Sequence, residues 1–174
     1  MIRIAHTADL DAATLTAARA LFDEAFDDDF TDDDWEHGLG GIHALAYEGD
    51  ELVGHAAVVM RRMLSDGRAL RTGYVESVCV SPRHRRRGHA SAVMTEIERI
   101  VRGGYDIGAL GATDEAIPLY ERHGWRAWQG PLSALTPDGI VPTPDEQGAV
   151  YVLADEDVDL TLPLTADWRD GDVW

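Results

Sequence analysis

The segment from residue 74 to residue 90 constrains the fold of this chain more than any other part. It reads Y-V-E-S-V-C-V-S-P-R-H-R-R-R-G-H-A, an apolar strand that meets a basic, glycine-containing turn, and a helix-compatible run follows at residues 90–102. The first N–H groups of a helix have no partner inside it, and the helix dipole favours an anion beside them. This order of elements therefore predicts a phosphate-binding turn.

Four arginines lie on this turn, although the chain as a whole is acidic. Arg83, Arg85, Arg86 and Arg87 belong to a chain with 15 basic and 32 acidic residues and a net charge of -17. Gly88, among them, would let a phosphate approach the backbone closely. The acidic remainder repels nucleic acid and anionic membranes and attracts polycations, so we expect neither a nucleic-acid nor a membrane partner.

The patterning predicts one domain over residues 1–174, of the α+β class. We expect the residues 7–9 to cap the first helix, the residues 137–148 to form a Pro-rich loop, and the residues 160–174 to form a tail without a clear period. The predicted strands are 2–6, 42–47, 52–62, 68–80, 106–110, 126–135 and 149–153. The predicted helices are 12–25, a short one capped by Thr31, 90–102 and 114–123, the last with an uncertain start at Pro118.

The residues 85–90, R-R-R-G-H-A, fit the [R/Q]-x-x-G-x-[G/A] signature of the GNAT acetyltransferase superfamily. Two further segments, D-W-E-H at 34–37 and D-W-R-D-G-D-V-W at 167–174, resemble the aminoglycoside 2′-N-acetyltransferases of that superfamily, and the likeness runs over nearly the whole chain. The resemblance implies a GNAT fold, in which helices flank a mixed central sheet. It also implies that two splayed strands, here 68–80 and 106–110, hold acetyl-CoA between them.

By this resemblance, the end of one strand and the turn after it bind the cofactor. Taken without the resemblance, the turn could equally be a solvated basic loop before an ordinary helix. The candidate coenzyme A ligands are Val78, Cys79, Val80, Arg85, Arg86, Arg87, Gly88, His89, Ala90 and Ser91.

Acetyl transfer to an amine needs a neutral amine, a donor for the developing oxyanion and a proton for the leaving thiolate. Glu76 is the first candidate base, although it could merely attract a cationic substrate, and the C-terminal carboxylate of Trp174 is the second. Tyr120 matches the GNAT tyrosine that meets the coenzyme A sulfur, so it is the candidate acid, with a packed aromatic as the alternative. We expect the oxyanion donor to be the backbone N–H of Val78 or Cys79. A covalent role for the Cys79 thiol is disfavoured, because a lone cysteine in an apolar strand is usually core.

Acidic residues cluster where a polycationic acceptor would need them. Residues 27–34 carry six aspartates, and the tail adds three more and the terminal carboxylate. Ser77, Gly111 and Glu146 depart from the residues usual in the resembling family (Gly, Ser and Asp), which leaves the drug preference open. The candidate substrate ligands are Asp29, Asp34, Glu76, Ser77, Gly111, Asp145 or Glu146, Asp172 and Trp174.

We therefore expect acetyl transfer to the 2′-amino group of an aminoglycoside, which would confer antibiotic resistance. Two alternatives are a GNAT enzyme acting on a polyamine or amino sugar, and a non-catalytic aminoglycoside-binding protein. His37 and His43 lack the spacing of a zinc site, and the aspartate run lacks the pattern of a calcium loop, so we expect no metal. The single cysteine excludes an internal disulfide, and the N-terminus lacks a signal peptide, so a cytoplasmic enzyme is expected. The resemblance implies a homodimer.

Overall fold

A computed structural model describes residues 1–26 and 30–174 of the chain. Within these residues no helix is long and apolar enough to cross a lipid bilayer. The helices are α1 (Ala12–Phe26), α2 (Asp32–Glu36), α3 (His89–Gly104) and α4 (Ile117–Arg122). The strands are β1 (Ile2–His6), β2 (Ile42–Glu48), β3 (Glu51–Ser65), β4 (Arg68–Val80), β5 (Ile107–Gly111), β6 (Arg126–Ala127), β7 (Leu132–Thr136), β8 (Gly139–Pro142), β9 (Val150–Leu153) and β10 (Leu164–Ala166).

The chain divides into two compact units. Unit 1 comprises Met1–Val59 and Val75–Arg99, and unit 2 comprises Met60–Tyr74 and Ile100–Trp174. The elements β3, β4 and α3 each contribute residues to both units.

Unit 1 contains an antiparallel run of strands and two helices. β1 pairs with β2, and β2 pairs with the first part of β3. Leu21 and Phe22 of α1 pack against Cys79 of β4, and Leu10 and Ala18 pack against Leu45 of β2. Burial of these apolar side chains fixes α1 in unit 1.

Unit 2 contains a sheet with the strand order β6-β9-β5-β4-β3-β10-β7-β8. The pairs β4–β5 and β10–β7 are parallel, whereas β5–β9, β6–β9 and β7–β8 are antiparallel. The sheet is therefore mixed, and with the helices it confirms the predicted α+β class.

The parallel ladder between β4 and β5 is short. It joins Thr72 to Ile107, Gly73 to Gly108 and Tyr74 to Ala109, and it ends there. β4 continues to Val80, so the last six residues of this strand extend past the ladder. The predicted pairing of these two strands is confirmed at this end, and it stops before the segment expected to bind the cofactor.

The strand predicted over residues 126–135 is wrong, because the structure has two short strands there. β6 pairs with β9, while β7 pairs with β8 and β10 near the other end of the sheet of unit 2. The residues between them turn, and the N–H groups of Gln129 and Gly130 both donate to the Leu160 carbonyl. Pro131, which has no N–H, cannot continue a strand ladder there.

The predicted loop at residues 137–148 and the predicted aperiodic tail also contain regular structure. β8 forms a hairpin with β7, closed by a 2.8 Å hydrogen bond from Thr136 Oγ1 to the Gly139 carbonyl. Pro142 ends β8, a position where a missing N–H is tolerated. In the tail, β10 pairs with β7 through only three residues, too few to leave a sequence period.

The cap of α1 and the start of α4 differ from the prediction, although α1 begins at the predicted Ala12. Residues 7–9 form a separate 3-10 turn, and Asp11 caps α1 instead, accepting the Thr14 N–H at 2.7 Å. This hydrogen bond to the charged form lowers the pKa of Asp11. α4 begins at Ile117, later than the predicted residue 114, because Pro118 fits only the first turn of a helix. The Thr31 cap of α2 is confirmed, with a capping box to Asp34.

Candidate active site

The predicted phosphate-binding turn lies in unit 1, between β4 and α3. A 3-10 turn at Pro82–His84 leads into it, and α3 begins at His89. Gly88 has a φ of +88°, and a Cβ at this position would have no neighbour within 4 Å. The glycine thus supplies a left-handed backbone conformation in open space, where a ligand could reach the main chain.

Most of the basic side chains of this turn have partners in unit 1. Arg85 donates to the Ala25 carbonyl at 2.9 Å, while Arg87 and His89 contact Glu48 at 3.2 and 2.7 Å. The hydrogen bond from His89, followed by the charge of Arg87, lowers the pKa of Glu48. Among the described residues, Arg86 has no hydrogen-bond partner, and its φ is +60°.

The backbone donors of the turn fit an anion. Within the described residues, the N–H groups of Arg86, Arg87, Gly88, His89 and Ala90 donate to no protein acceptor, and the Ala92 N–H donates back into the turn, to the Gly88 carbonyl at 2.9 Å. Consecutive free N–H groups at a helix N-terminus are suited to a phosphate. Together with the guanidinium of Arg86, which has no partner among residues 1–26 and 30–174, they fit a pyrophosphate better than the other arginines do.

The predicted pantetheine-binding strand is the end of β4. Val78 and Val80 are half-buried, whereas Cys79 is buried, and Ser81 N donates to the Val53 carbonyl at 3.0 Å. Burial raises the pKa of the Cys79 thiol to about 12. A protonated, inaccessible thiol is a poor nucleophile, which agrees with its predicted role in the core.

Glu76 and Ser77 precede this segment on β4, and both are half-buried. Ser77 has a φ of +54°, a conformation that costs a residue with a side chain about 1 kcal/mol or more. Its carbonyl accepts a hydrogen bond from the ring of His55 at 3.2 Å. The strand is therefore distorted directly after the candidate base.

The aspartates predicted to bind substrate in unit 1 are only partly described. Asp29 lies outside the described residues. Asp34 Oδ2 accepts the Thr31 N–H at 2.7 Å and the Thr31 hydroxyl at 2.8 Å, so one of its oxygens stabilises the start of α2. The other oxygen has no described partner and could accept a hydrogen bond from a ligand.

In unit 2, the tail is held in place by two arginines that sequence reasoning did not identify. Arg61 donates to Asp167 Oδ1 and to the Val173 carbonyl, both at 2.7 Å. Arg169 donates to the Asp172 carbonyl at 2.7 Å and to the Trp174 oxygen at 3.2 Å. The last three residues thus have defined positions, and the charge of Arg169 lies next to the C-terminus.

Trp174 itself is anchored through its indole and through its backbone N–H. Its side chain is buried, with Nε1 donating to Thr143 Oγ1 at 2.8 Å, and its backbone N–H donates to Asp172 Oδ1 at 3.0 Å. Gly111 lies beside its terminal carboxyl group. The structure therefore brings together three predicted site residues of unit 2: Gly111, Asp172 and Trp174.

A group of carboxylates lies in the same unit. Burial, followed by the charges of Asp172 and Asp145, raises the pKa of Glu146. A bound cation would offset the negative charges that disfavour the ionised form of Glu146. Glu146, predicted together with Asp145 as alternatives, is therefore close enough to both Asp145 and Asp172 for their charges to act on it.

Tyr120, the candidate acid, lies on α4 of unit 2. It is 5% exposed, and its ring centroid is 6.3 Å from that of Trp125. Burial raises the pKa of its phenol, so the hydroxyl keeps its proton at neutral pH. The described residues contain no group of three or more histidine, cysteine or carboxylate side chains that could hold a metal ion.

The predicted site residues thus fall into two sets. Unit 1 holds Asp34, Glu76, Ser77 and the candidate cofactor ligands from Val78 to Ser91, and unit 2 holds Gly111, Tyr120, Asp145, Glu146, Asp172 and Trp174.

Comparison with known proteins extends these observations. The chain is 48% identical to the aminoglycoside 2'-N-acetyltransferase of Mycolicibacterium fortuitum over 177 residues, which are 99% of this chain and 91% of that protein. Two solved structures show the same fold at lower identity. A GNAT family acetyltransferase from Brucella melitensis in complex with acetyl-CoA has a TM-score of 0.63 and 16% identity, with 94% of each chain covered.

The second solved structure is Eis1 from Mycobacterium abscessus, with a TM-score of 0.62 and 23% identity over 76% of this chain. The present chain spans only 33% of the length of Eis1. The sequence profile of the acetyltransferase (GNAT) domain matches residues 6–128, which include parts of both units. The chain therefore belongs to the GNAT acetyltransferase family.

Proposed function

We propose that this protein transfers the acetyl group of acetyl-CoA to the 2′-amino group of aminoglycosides. The observation that carries the proposal is the 48% identity, over 99% of the chain, to an aminoglycoside 2'-N-acetyltransferase. An acetylated nitrogen no longer carries a positive charge, so the modified drug would lose contacts that depend on that charge. The consequence for the cell would be resistance to the antibiotic.

The turn before α3 fits the pyrophosphate of coenzyme A. Gly88 leaves the main chain accessible, the N–H groups from Arg86 to Ala90 supply donors, and Arg86 supplies a charge that no other described residue pairs with. Val78, Cys79 and Val80 would pair through their backbone with the pantetheine amides, since β4 extends past its ladder with β5. Arg85, Arg87 and His89 would act mainly by holding the turn in shape, because they already bond to unit 1.

The reaction forms a C–N bond and breaks a C–S bond. The neutral amine attacks the thioester carbonyl, the amine proton passes to a base, and the thiolate leaves. Glu76, acting directly or through water, and the carboxylate of Trp174 are the two candidate bases. The Trp174 carboxyl group bonds to Arg169, which stabilises its charge and weakens it as a base, so we favour Glu76.

Tyr120 would stabilise the departing thiolate. A thiol has a pKa of about 8.5, well below that of a buried phenol, so complete proton transfer from Tyr120 would be uphill. A hydrogen bond donated by the phenol is the more favourable contribution. This refines the predicted acid role: the hydroxyl would donate without giving up its proton permanently.

The carboxylates would bind the ammonium groups of the drug. The charges of Asp172 and Asp145 act on Glu146 in unit 2, and Asp34 and Glu76 add negative charge in unit 1. Ser77, Gly111 and Trp174 would set the shape around the acceptor. We place Asp29 with this group on the resemblance alone.

The decisive experiment is a thiol-release assay with acetyl-CoA over a panel of aminoglycosides. Drugs with a 2′-amino group should be acetylated, and matched drugs with a 2′-hydroxyl should not be, with mass spectrometry and NMR locating the modified nitrogen. Modification at another nitrogen would contradict the proposal. Turnover of polyamines or simple amino sugars with higher kcat/KM would favour the alternative acceptor, and drug binding without thiol release would favour a binding protein.

We also propose that the two units form a single acetyltransferase domain, that the enzyme is cytoplasmic and that it is a homodimer. The domain profile supports the first point, since residues 6–128 include parts of both units. The family resemblance supports the others. One cooperative unfolding transition and a dimeric mass in light scattering are the expected results.

A further inference from the structure

Two buried histidines form a continuous hydrogen-bonded chain in unit 1. Thr7 Oγ1 is 2.7 Å from His43 Nε2, His43 Nδ1 is 2.9 Å from His55 Nε2, and His55 Nδ1 is 3.2 Å from the Ser77 carbonyl oxygen. Both rings are essentially inaccessible, at 1% and 0% exposure. The chain leads from the first turn of the protein to the distorted point of β4.

The hydrogen bonds of this chain have one consistent direction. A carbonyl oxygen can only accept, so His55 Nδ1 carries a proton and donates to Ser77. In a neutral imidazole the other nitrogen accepts, so His43 Nδ1 donates to His55 Nε2, and the Thr7 hydroxyl donates to His43 Nε2. Burial lowers the pKa of His43 to about 4 and that of His55 to about 3, so both rings are neutral at physiological pH.

The orientation of the Ser77 carbonyl determines the orientation of the Val78 N–H. Both groups belong to one peptide unit, and in a trans peptide they point in opposite directions. The described chain has no cis peptide bonds. His55 lies on β3, so the carbonyl points towards β3 and the Val78 N–H points away from it.

The neighbouring residues support this orientation. Ser81 N donates to the Val53 carbonyl of β3 at 3.0 Å, and backbone groups alternate in direction along a strand. The N–H groups of Val78 and Val80 therefore face away from β3. The ladder between β4 and β5 ends at Tyr74, so the Val78 N–H makes no hydrogen bond within that ladder.

Ser77 would not hold this geometry without support. Its φ of +54° is unfavourable for serine, and its hydroxyl is buried without a hydrogen-bond partner among the described residues. The hydrogen bond from His55 is one contact that offsets this cost. Because His55 is itself fixed by His43, the position of the carbonyl does not depend on an exposed or mobile group.

We propose that His55, held by His43, is a positioning residue for acetyl transfer, which directs the Val78 N–H towards the thioester carbonyl so that it stabilises the developing oxyanion. The inference rests on the proposed function. The hydrogen bond to the Ser77 carbonyl also polarises the peptide, which makes the Val78 N–H a stronger donor. His55 touches neither substrate, and its effect passes through a single peptide unit.

Two substitutions separate positioning from packing. His55→Phe keeps an aromatic ring and removes the donor, whereas His55→Asn keeps an N–H donor near the position of Nδ1. Val58→Ala is the control for loss of stability, because Val58 is a buried residue of the same strand that takes no part in the hydrogen bonds of the two histidines. We expect His55→Phe to lower kcat about 10- to 100-fold. Complete loss of one oxyanion donor costs about 100- to 1000-fold, and this variant misdirects the Val78 N–H without removing it. The Kd for coenzyme A should change less than about twofold.

His55→Asn should recover most of kcat, and Val58→Ala should keep it. With acetyl-CoA labelled by carbon-13 at the carbonyl, the bound C=O stretch should rise in frequency in His55→Phe and stay near the wild-type value in His55→Asn. Equal losses of kcat in His55→Phe, His55→Asn and Val58→Ala would overturn the proposal, since they would show a packing effect alone. An unchanged C=O stretch in His55→Phe would also overturn it.

A measurement without substrates keeps this test separate from the proposed function. In the protein alone, the Ser77 carbonyl carbon and the Val78 amide should shift in His55→Phe and move little in His55→Asn. If the wild type acetylates no aminoglycoside, the proposed function fails, and these two chemical shifts alone decide whether His55 positions the peptide. If these two chemical shifts are the same in the wild type, His55→Phe and His55→Asn, the proposal is wrong, whatever the activity of the enzyme.

Discussion

A side chain at position 111 would touch the C-terminus of the protein: a Cβ on Gly111 would lie 3.5 Å from the carboxyl carbon of Trp174 and 3.6 Å from its oxygen. These are ordinary van der Waals distances, so a small side chain fits and a large one does not. A serine at this position would place a hydroxyl that could donate to the Trp174 carboxylate. Position 111 therefore controls the environment of one of the two candidate bases.

We predict that Gly111→Ser changes the melting temperature by less than about 2 °C and alters the ratio of kcat/KM between two aminoglycosides. Gly111→Leu should displace the Trp174 carboxyl group and raise the KM for the drug. The KM for acetyl-CoA serves as the control and should stay constant in both variants. Identical drug kinetics in wild type and Gly111→Leu would show that the C-terminus takes no part in binding the acceptor.

Deleting residues 172–174 should raise the KM for aminoglycosides about 10-fold or more, because it removes the carboxylate of Asp172 and moves the C-terminal carboxylate from residue 174 to residue 171. Trp174→Phe is the matched control, since it keeps both carboxylates and loses only the indole hydrogen bond to Thr143. Steady-state kinetics on both variants checks the prediction. If the truncated enzyme retains wild-type affinity for the drug, the tail does not contact it.

Glu76→Gln should lower kcat at neutral pH about 100-fold, which is the usual range for a general base. The pH–rate profile distinguishes a base from an electrostatic contact. Loss of a base removes the acid limb of the kcat profile, whereas loss of a mere attraction raises the drug KM and leaves the limb in place. Turnover equal to wild type at every pH would remove Glu76 from the mechanism.

Tyr120→Phe should lower kcat about 10-fold and leave the Kd for coenzyme A nearly unchanged, since the phenol contributes a hydrogen bond to the thiolate in the transition state. The ring still packs beside Trp125, so the melting temperature should remain close to that of the wild type. Stopped-flow measurement of thiol release checks the chemical step directly. A wild-type rate of release would leave Tyr120 as a packed aromatic only.

The buried histidines should make the protein sensitive to acid. Each has an ordinary pKa of 6.5 when unfolded, lowered to about 4 for His43 and about 3 for His55 in the folded state. Between pH 6.5 and 4 the unfolded chain therefore binds more protons, so the free energy of unfolding falls as the pH falls. Urea titrations at several pH values should show a shallower fall in the double variant His43→Asn/His55→Asn. Equal slopes would contradict the lowered pKa values.

The local features of the site could be predicted from sequence, because they depend on neighbours along the chain. Gly88 and the N-terminus of α3 follow from a strand, a glycine and a helical run in order. The sequence did not reveal that Glu48 partly neutralises the positive charge of the turn, because Glu48 lies about forty residues away from Arg87 and His89, the groups it binds. The number of arginines on the turn therefore exceeds the number available to a phosphate.

Long-range contacts explain most of what the sequence did not reveal. Arg61 and Asp167 are 106 residues apart, and no periodicity links them. The strands β8 and β10 are short, and pairing with β7 forms them despite prolines and polar residues nearby. In the sequence His37 is the histidine nearest to His43, whereas the hydrogen-bond partner of His43 is His55 on the next strand. Each strand pairing had to be known before these contacts could be inferred.

The burial of Cys79 has a practical consequence for the enzymology. This is the only sulfhydryl of the chain, and with a pKa of about 12 and 4% exposure it should react slowly with disulfide reagents or maleimides at neutral pH. A chromogenic reagent such as Ellman's can therefore report free coenzyme A continuously, with little background from the protein. The same seclusion should make catalysis indifferent to mild oxidants.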